Sequence, residues 1–446
     1  MTLLSLRGLA ALILVSALAG CASTPPPSVE AAPAAASCPA GVPDGARCLR
    51  GQDSAGAHYL IVVPAQWNRV LVVHAHGGPV LGPPRPERAD EDIKRWAITV
   101  KAGYAWAGSV FRQGGVAVRS AAEDTERVRR IFVEHVARPT RTILHGQSWG
   151  AGVAAKTIEM LAERPGAKMP FDALLLSSGV LAGGSRSYDF RLDLRVVYQH
   201  LCGNHPAAGE PQYPLWMGLP ADSTLTRAEL ATRADQCLGL RKPAAQRSAE
   251  QQRRLKTIVD VVRIPESSVL AHLNWATWHF QDIALHRTQG RNPFGNEGVR
   301  YTGSDDDAAL NAGVLRYRAD PAAVAMFAAD TDLSGRIPIP VLTVHGVNDA
   351  TAFVELESAF RDTMVRAGTA GHLVQTFSDH SEHSYLGDPL YPALFDALLR
   401  WVETGTAPTP IAIAQRCKSF EADFGAGCRL LPDYRPAPLA ARVAPR

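Results

Sequence analysis

The sequence predicts an α/β protein in which helices cover both faces of a mainly parallel sheet. Short, almost wholly apolar runs alternate with longer segments of helical periodicity, a pattern typical of strands buried on both sides. Between residues 178 and 340 the patterns are mostly helical, which indicates an insertion between two strands of the sheet. The expected strands are 58–63, 70–74, 105–111, 142–145, 173–177, 341–345 and 373–377.

Composition and motifs divide the chain into six segments. They are a signal peptide (1–20), a lipidated cysteine with a flexible linker (21–37), the first part of the sheet domain (38–180), a helical cap (181–336), the second part of the sheet domain (337–405) and a Pro/Ala-rich tail with a disulfide loop (406–446). Apolar residues make up 46% of the chain, enough for a large core. The net charge of +3, without a basic tract, argues against a nucleic-acid partner.

The N-terminal residues indicate export. Arg7 precedes a short apolar run that ends at Ala19, as in a signal peptide, and the run is too short for a permanent membrane span. Residues 18–21, Leu-Ala-Gly-Cys, resemble the lipobox of bacterial lipoproteins, which implies cleavage before Cys21 and attachment of lipid to it. The alternative is a cleavage site that happens to contain cysteine. Ala22 resembles the sorting signal for an outer membrane, where the protein would face the periplasm or the exterior.

Six further cysteines predict disulfides, because an even number remains in an exported chain once Cys21 carries lipid. The expected pairs lie close in sequence: Cys38 with Cys48, Cys202 with Cys237, and Cys417 with Cys428. A metal site is the rival interpretation, but no C-x-x-C or cysteine–histidine cluster favours it. His74 and His76 lack the carboxylate and further histidines that a zinc hydrolase requires. We therefore predict neither a metal nor another cofactor.

The segment Gly146–Gly150, Gly-Gln-Ser-Trp-Gly, is the strongest indication of chemistry. It lies between a β-branched apolar run and a helical stretch of small residues, so Ser148 is expected on a tight turn with its hydroxyl exposed. The glycines on either side avoid collision with the neighbouring strand or helix. Since a serine hydroxyl reacts only when a histidine takes its proton and an acid orients that histidine, Ser148 predicts two partners elsewhere in the chain.

The partners are expected in loops that follow other strands. Asp349 comes directly after the strand at 341–345 and is the candidate acid, its alternative role being the cap of a helix at 351–365. His380 and His383, after the last strand, compete for the role of base. A tetrahedral intermediate also needs backbone N–H donors; Trp149 is one candidate, and the turn after the strand at 70–74 offers the other.

In that turn, His76-Gly77-Gly78-Pro79, proline has no N–H, so the donor is Gly77 or Gly78, and we choose Gly78.

Taken together, the motifs at 76–79 and 146–150 with Asp349 and His383 resemble the α/β-hydrolase superfamily over roughly residues 50–405. The resemblance implies the chain order serine, acid, histidine and a cap that shapes the pocket. It also implies a base near the end of its loop, before a small residue and an aromatic, which favours His383 and leaves His380 as a rim or substrate-contact residue. The two motifs look like the proline iminopeptidase branch, although Val80 stands where that branch usually has glycine.

Three functions are therefore expected to compete. The first is a serine hydrolase that cleaves a carboxylic ester or related acyl bond of a small molecule, with water or another acceptor resolving the acyl-enzyme. The second is a proline iminopeptidase-type exopeptidase, which would use a cap acid such as Glu266, Asp282 or Asp305 to bind the free amine of a peptide. The third is a binding lipoprotein without turnover.

Overall fold

The computed structural model describes residues 29–166 and 168–446. The predicted signal peptide and Cys21 lie outside the described residues. Within these residues the strands are β1 (Ala34–Ala36), β2 (Arg47–Gln52), β3 (His58–Val63), β4 (Val70–Ala75), β5 (Ala105–Ser109), β6 (Arg141–Gln147), β7 (Ala173–Ser177), β8 (Val341–Gly346) and β9 (Leu373–Ser378). They form one sheet in the order β1-β2-β3-β5-β4-β6-β7-β8-β9.

The sheet is parallel from β5 to β9, and antiparallel pairing is confined to β1, β2 and β3 at one side. Helices cover both faces, each over its own buried apolar cluster. One face carries α1 (Arg88–Lys101), α13 (Leu390–Thr404) and α14 (Pro410–Phe424); the other carries α2 (Val118–His135), α3 (Trp149–Ala162) and α12 (Leu356–Arg366). This architecture confirms the predicted α/β-hydrolase fold.

The described chain between β7 and β8 contains helices and no strand. Its helices are α4 (Gly183–Ser187), α5 (Phe190–Cys202), α6 (Arg227–Leu238), α7 (Ala249–Val262), α8 (Val269–Asn274), α9 (Phe280–Asp282), α10 (Asp307–Gly313) and α11 (Pro321–Thr331). A π-helical turn, Trp275–His279, joins α8 to α9, and a second one, Ile283–Arg287, follows α9. Together they form one continuous helix over 269–287, here called the cap helix.

Strand register brings the candidate loops to one edge of the sheet. Ala75 at the end of β4 pairs with Gly146 in β6, and Gln147 pairs with Ser177 at the end of β7. At the far side, Gly346 of β8 pairs with Ser378 of β9. Because parallel strands end together, the chain segments after β4, β6, β8 and β9 emerge side by side, where ligands bind in open α/β sheets.

The three expected disulfides are present: Cys38–Cys48, Cys202–Cys237 and Cys417–Cys428. Cys202–Cys237 joins the C-terminal ends of α5 and α6, and Cys417–Cys428 ties α14 to the segment after it. No helix among the described residues is long and apolar enough to cross a bilayer.

The prediction of a flexible linker at 21–37 is wrong for its described part. Ala34–Ala36 pairs with β2 as an edge strand, which satisfies its backbone groups. Glu30 is only 2% exposed; its carboxylate accepts hydrogen bonds from the Ser54 N–H and hydroxyl and pairs with Arg130. Alanine and proline content indicated flexibility, but these contacts with the body hold the segment in place.

Candidate active site

Ser148 occupies a strained turn between β6 and α3. Its φ of +56° lies in a region that side-chain-bearing residues rarely adopt. Three backbone hydrogen bonds hold it there: Ser148 N–H donates to the Ser177 carbonyl at 2.9 Å, and the Ser148 carbonyl accepts from Ala151 N–H at 3.1 Å and Val180 N–H at 3.0 Å. The turn therefore keeps the hydroxyl at the edge of the sheet, as the motif predicts.

The two glycines of the motif are required by close packing. A Cβ on Gly146 would lie 2.4 Å from the Gly150 carbonyl oxygen, and a Cβ on Gly150 would lie 2.2 Å from the Ala75 carbonyl oxygen. The second contact also seats the first turn of α3 against the end of β4. The glycines thus bring Ser148 next to the loop that carries Gly78.

Gly150→Ala is expected to destabilise the fold by more than about 2 kcal/mol, because the added methyl group collides with backbone that a side-chain rotation cannot move. Urea unfolding measures the change. Gly371→Ala is the matched control, since its Cβ would meet nothing within 4 Å. Equal stability of the two variants would contradict this account of the turn.

The structure brings Ser148, His383 and Asp349 into one line of hydrogen bonds. The His383 Nε2 lies 2.7 Å from the Ser148 Oγ, and the His383 Nδ1 lies 2.7 Å from the Asp349 Oδ2. A carboxylate only accepts, so Nδ1 carries a proton and Nε2 is free to accept the serine proton. Asp349 is buried, whereas the His383 side chain is 20% exposed and reaches the open side of the site.

Asp349 is oriented by its own loop. Its Oδ1 accepts from the N–H groups of Thr351 at 2.8 Å and Ala352 at 3.1 Å, while α12 begins only at Leu356. The alternative role as a helix cap is therefore not observed. Burial by itself raises the pKa of Asp349, but contacts with His345 and His383 outweigh burial and hold the pKa well below its ordinary value. The carboxylate stays charged beside the imidazole.

A second histidine lies behind the acid. His345 is fully buried, with Nε2 2.8 Å from the Ala352 carbonyl and 3.5 Å from the Asp349 carboxylate, and Nδ1 3.1 Å from the Glu357 carboxylate. Both ring nitrogens face acceptors, an arrangement that favours the imidazolium form. Although burial lowers the pKa of His345, the contacts with Asp349 and Glu357 raise it to about 10. The sequence alone does not predict the contact between His345 and Glu357, because His345 lies within an apolar strand pattern.

We expect His345→Gln to cost more stability at low than at high pH. Because contacts with the Asp349 and Glu357 carboxylates outweigh burial and raise the pKa of His345 from 6.5 to about 10 in the folded protein, this stabilisation is fully present below the unfolded pKa and is lost as pH rises through the folded one. The difference in unfolding free energy from the unsubstituted protein should shrink between about pH 6 and about pH 10 in urea titrations. His286→Gln, at an exposed position, serves as the control. A deficit independent of pH would rule out a charged His345.

His380, the alternative base, is turned away from Ser148. Its Nδ1 is hydrogen-bonded to the Ser378 hydroxyl, and the ring is buried. Burial, with Arg429 adding to it, lowers the pKa of His380. Of the two candidates, only His383 contacts both Ser148 and Asp349.

The candidate oxyanion donors have free N–H groups. Within the described chain, neither the Trp149 nor the Gly78 N–H has a hydrogen-bond partner. The Gly77 carbonyl accepts from Arg88 Nη2 at 3.2 Å, and in a trans peptide the following N–H points the opposite way, so the Gly78 N–H faces away from Arg88. Gly78 has a φ of +70° and open space around its Cβ position. The choice of Gly78 over Gly77 as the donor stays a prediction.

Gln147 links three loops of the site, a role that its place in the motif does not reveal. Its Nε2 donates to the Ser384 hydroxyl at 2.7 Å, next to His383. Its Oε1 fills the space that a Cβ on Gly77 would occupy, at 2.1 Å. The buried amide therefore packs the turn at Ser148 against the loop at 76–79, here called the oxyanion loop. It also ties this turn to the loop at 379–389, here called the base loop.

No metal-like cluster surrounds these residues. His74 contacts His145 through their Nδ1 atoms at 3.1 Å, while His76 stacks on Phe111 with ring centroids 4.3 Å apart. In the described part of the chain, no group of three or more histidine, cysteine or acidic side chains is arranged to hold a metal ion.

No protein-family model matches the chain, and no curated protein matches it. Among solved structures it is similar to feruloyl esterase B from Aspergillus oryzae, with 12% identity, a TM-score of 0.45, and coverage of 85% of this chain and 88% of that one. It is also similar to the rice cell wall degrading esterase LipA from Xanthomonas oryzae, with 13% identity, a TM-score of 0.39, and coverage of 80% and 90%. A hormone-sensitive lipase from a metagenome library has 12% identity, a TM-score of 0.39 and 85% coverage of each chain.

Proposed function

We propose that this protein is a serine hydrolase that cleaves a carboxylic ester or related acyl bond of a small molecule. The observation that carries the proposal is the pair of 2.7 Å hydrogen bonds that join Asp349, His383 and Ser148 at the strained turn. A buried carboxylate, an imidazole with one free nitrogen and a serine hydroxyl in this order activate the hydroxyl as a nucleophile.

The reaction would proceed in two halves. His383 takes the Ser148 proton as Oγ attacks the carbonyl carbon, and the oxyanion forms between the Gly78 and Trp149 N–H groups. His383 then gives the proton to the departing alcohol, which leaves an acyl group on Ser148. A water molecule attacks next, with His383 again taking and returning the proton, and the acid is released. Apart from the substrate and this water molecule, every group in the scheme comes from the chain.

The iminopeptidase alternative needs a cap acid free to bind an amine. Asp282 accepts from the Val116 N–H at 2.7 Å and pairs with Arg287 at 2.9 Å. Glu266 is paired with Arg247, and Asp305 is exposed. Since two of the three candidates are already engaged and the third faces solvent, we favour an ester over an N-terminal peptide bond.

Hydrolysis of 4-nitrophenyl esters by the purified protein, compared with proline 4-nitroanilide, tests the proposal. We expect ester turnover and little cleavage of the anilide. Cleavage of the anilide at a comparable rate would favour the exopeptidase. A folded protein that hydrolyses neither substrate would support a binding lipoprotein.

We also propose that the protein is exported and anchored by lipid on Cys21 to the cell envelope, with the outer membrane as the expected site. The three disulfides support an oxidising compartment, where such bonds persist. Membrane fractionation of a bacterial host expressing the full chain tests the anchor. Cys21→Ala should release the protein from the membrane fraction; unchanged partition would contradict lipidation.

A further inference from the structure

Arg191, in α5, is a buried arginine without a carboxylate partner. The residue is 6% exposed, and within the described chain no carboxylate oxygen lies within ion-pair distance of its guanidinium. Nη1 donates to the Ser187 carbonyl at 3.3 Å, and the buried Nε has no partner there. Burying a charge without a partner costs free energy, so a buried guanidinium with no counter-ion indicates that a ligand supplies one.

Aromatic rings supply only part of the compensation. The guanidinium carbon lies 4.8 Å from the ring centroid of Tyr188, 4.9 Å from that of Phe190 and 5.0 Å from that of Trp275. Ring faces stabilise the positive charge, but they do not accept the N–H groups in the guanidinium plane. The rings thus orient the side chain and leave in-plane donors for an anion.

Three other arginines of the described chain have more polar partners than Arg191. Arg287 pairs with Asp282 at 2.9 Å, and Arg446 pairs with Asp193 at 2.8 Å. Arg195, one turn after Arg191, also lacks a carboxylate, but it donates from Nη1 to the Thr277 hydroxyl and from Nη2 to the His205 carbonyl. Arg191 has only the single long bond to Ser187.

Arg191 packs against the cap helix, which contacts the loops of the candidate active site. Trp275, on which it stacks, lies between two histidines of that helix that contact the site loops. His272 donates from Nε2 to the carbonyl of Ala350, next to Asp349, at 3.0 Å, and the His279 Nε2 lies 3.2 Å from the Pro79 carbonyl in the oxyanion loop.

The charge of Arg191 acts on both of these histidines. Burial foremost, with the Arg191 charge adding to it, lowers the pKa of His272 well below its ordinary value and that of His279 to about 4. The two rings are therefore neutral, which leaves Arg191 as a charged group packed against this part of the cap helix.

We propose that Arg191 binds a carboxylate, or an equivalent anionic group, on the substrate. This inference rests on the proposed function and specifies it: the preferred substrate is an ester or acyl compound with an anionic group close to the scissile carbonyl. A planar guanidinium pairs with a carboxylate through two parallel hydrogen bonds, which would satisfy the donors that the rings leave open.

Two esters of equal length test the proposal: mono-4-nitrophenyl glutarate, which carries a free carboxylate, and neutral 4-nitrophenyl valerate. We expect the protein to prefer the glutarate ester, measured as the ratio of kcat/KM for the two substrates. Arg191→Met should reduce that ratio by about 10- to 100-fold, the usual effect of losing hydrogen bonds to a charged group. Arg191→Lys should retain part of the preference, because the charge remains but the planar fork is lost.

Arg318→Met is the matched control, because it removes one positive charge from the same insertion at a side chain that is 82% exposed. Its ratio should stay within about twofold of the unsubstituted protein. A protein without preference for the glutarate ester, or an Arg191→Met variant that keeps the ratio, would overturn the proposal.

Glutarate binding separates this inference from the proposed hydrolysis. Calorimetry with Ser148→Ala protein should detect glutarate, and adding Arg191→Met should weaken its binding by at least about 10-fold. If neither ester is hydrolysed but glutarate binds through Arg191, hydrolysis fails and the anion site stands. Absence of binding, or binding unaffected by the second substitution, would overturn the site.

Discussion

Ser148→Ala is expected to reduce ester hydrolysis by about 10⁴- to 10⁶-fold, the effect seen when the nucleophile of a serine triad is removed. The Ser148 Oγ is the atom proposed to attack the carbonyl, and its proton would pass to His383 along their 2.7 Å hydrogen bond. The Gly78 and Trp149 donors would remain in the variant and account for any residual rate.

The fold of the Ser148→Ala variant should be retained, because three backbone hydrogen bonds hold the turn independently of the side chain. Ser381→Ala, an exposed serine in the base loop, is the matched control and should keep its activity within about twofold. Comparable loss in both variants, or normal turnover without the Ser148 hydroxyl, would contradict the assigned nucleophile.

His383→Ala should lower kcat by about 10³- to 10⁵-fold, whereas His380→Ala should change it by less than about 10-fold. His383 contacts both other members of the triad, while the buried His380 ring is bonded to Ser378. Removing His383 leaves Ser148 without a proton acceptor and Asp349 without the imidazole that it orients.

Steady-state kinetics of the two histidine variants decide between them. Circular dichroism should show both variants folded, so that a loss of rate reports chemistry. A large loss in His380→Ala with normal turnover in His383→Ala would reverse the assignment of the base.

The parallel part of the sheet was predictable because its strands are buried on both faces and therefore read as continuous apolar runs. β1 and β2 were not recognised. The three alanines of β1 lie in a Pro/Ala-rich segment, and the Arg47–Gln52 strand carries polar residues that interrupt the apolar pattern expected of a strand. Helix α14 was also missed, because the tail around Pro410 was judged from composition alone.

The proximity of Ser148, Asp349 and His383 was predictable because each follows a recognisable strand or turn. The groups that surround them were not, since their roles depend on contacts between distant segments. The hydrogen bond between His345 and Glu357 forms only when α12 packs beside β8. The hydrogen bond between Gln147 and Ser384 joins two separate loops at the edge of the sheet. In the sequence Arg191 is one of several polar residues of an amphipathic helix. Its burial depends on the cap helix, whose Trp275 packs against it in the fold.

Labelling the full chain with a fluorophosphonate, followed by peptide mass spectrometry, tests directly whether Ser148 is an activated serine. An activated serine forms a covalent phosphonyl adduct, and an unactivated hydroxyl does not. We expect one adduct, on Ser148, that is absent from Ser148→Ala and from His383→Ala. A folded protein that carries no adduct, or an adduct on another residue that persists in Ser148→Ala, would contradict this expectation.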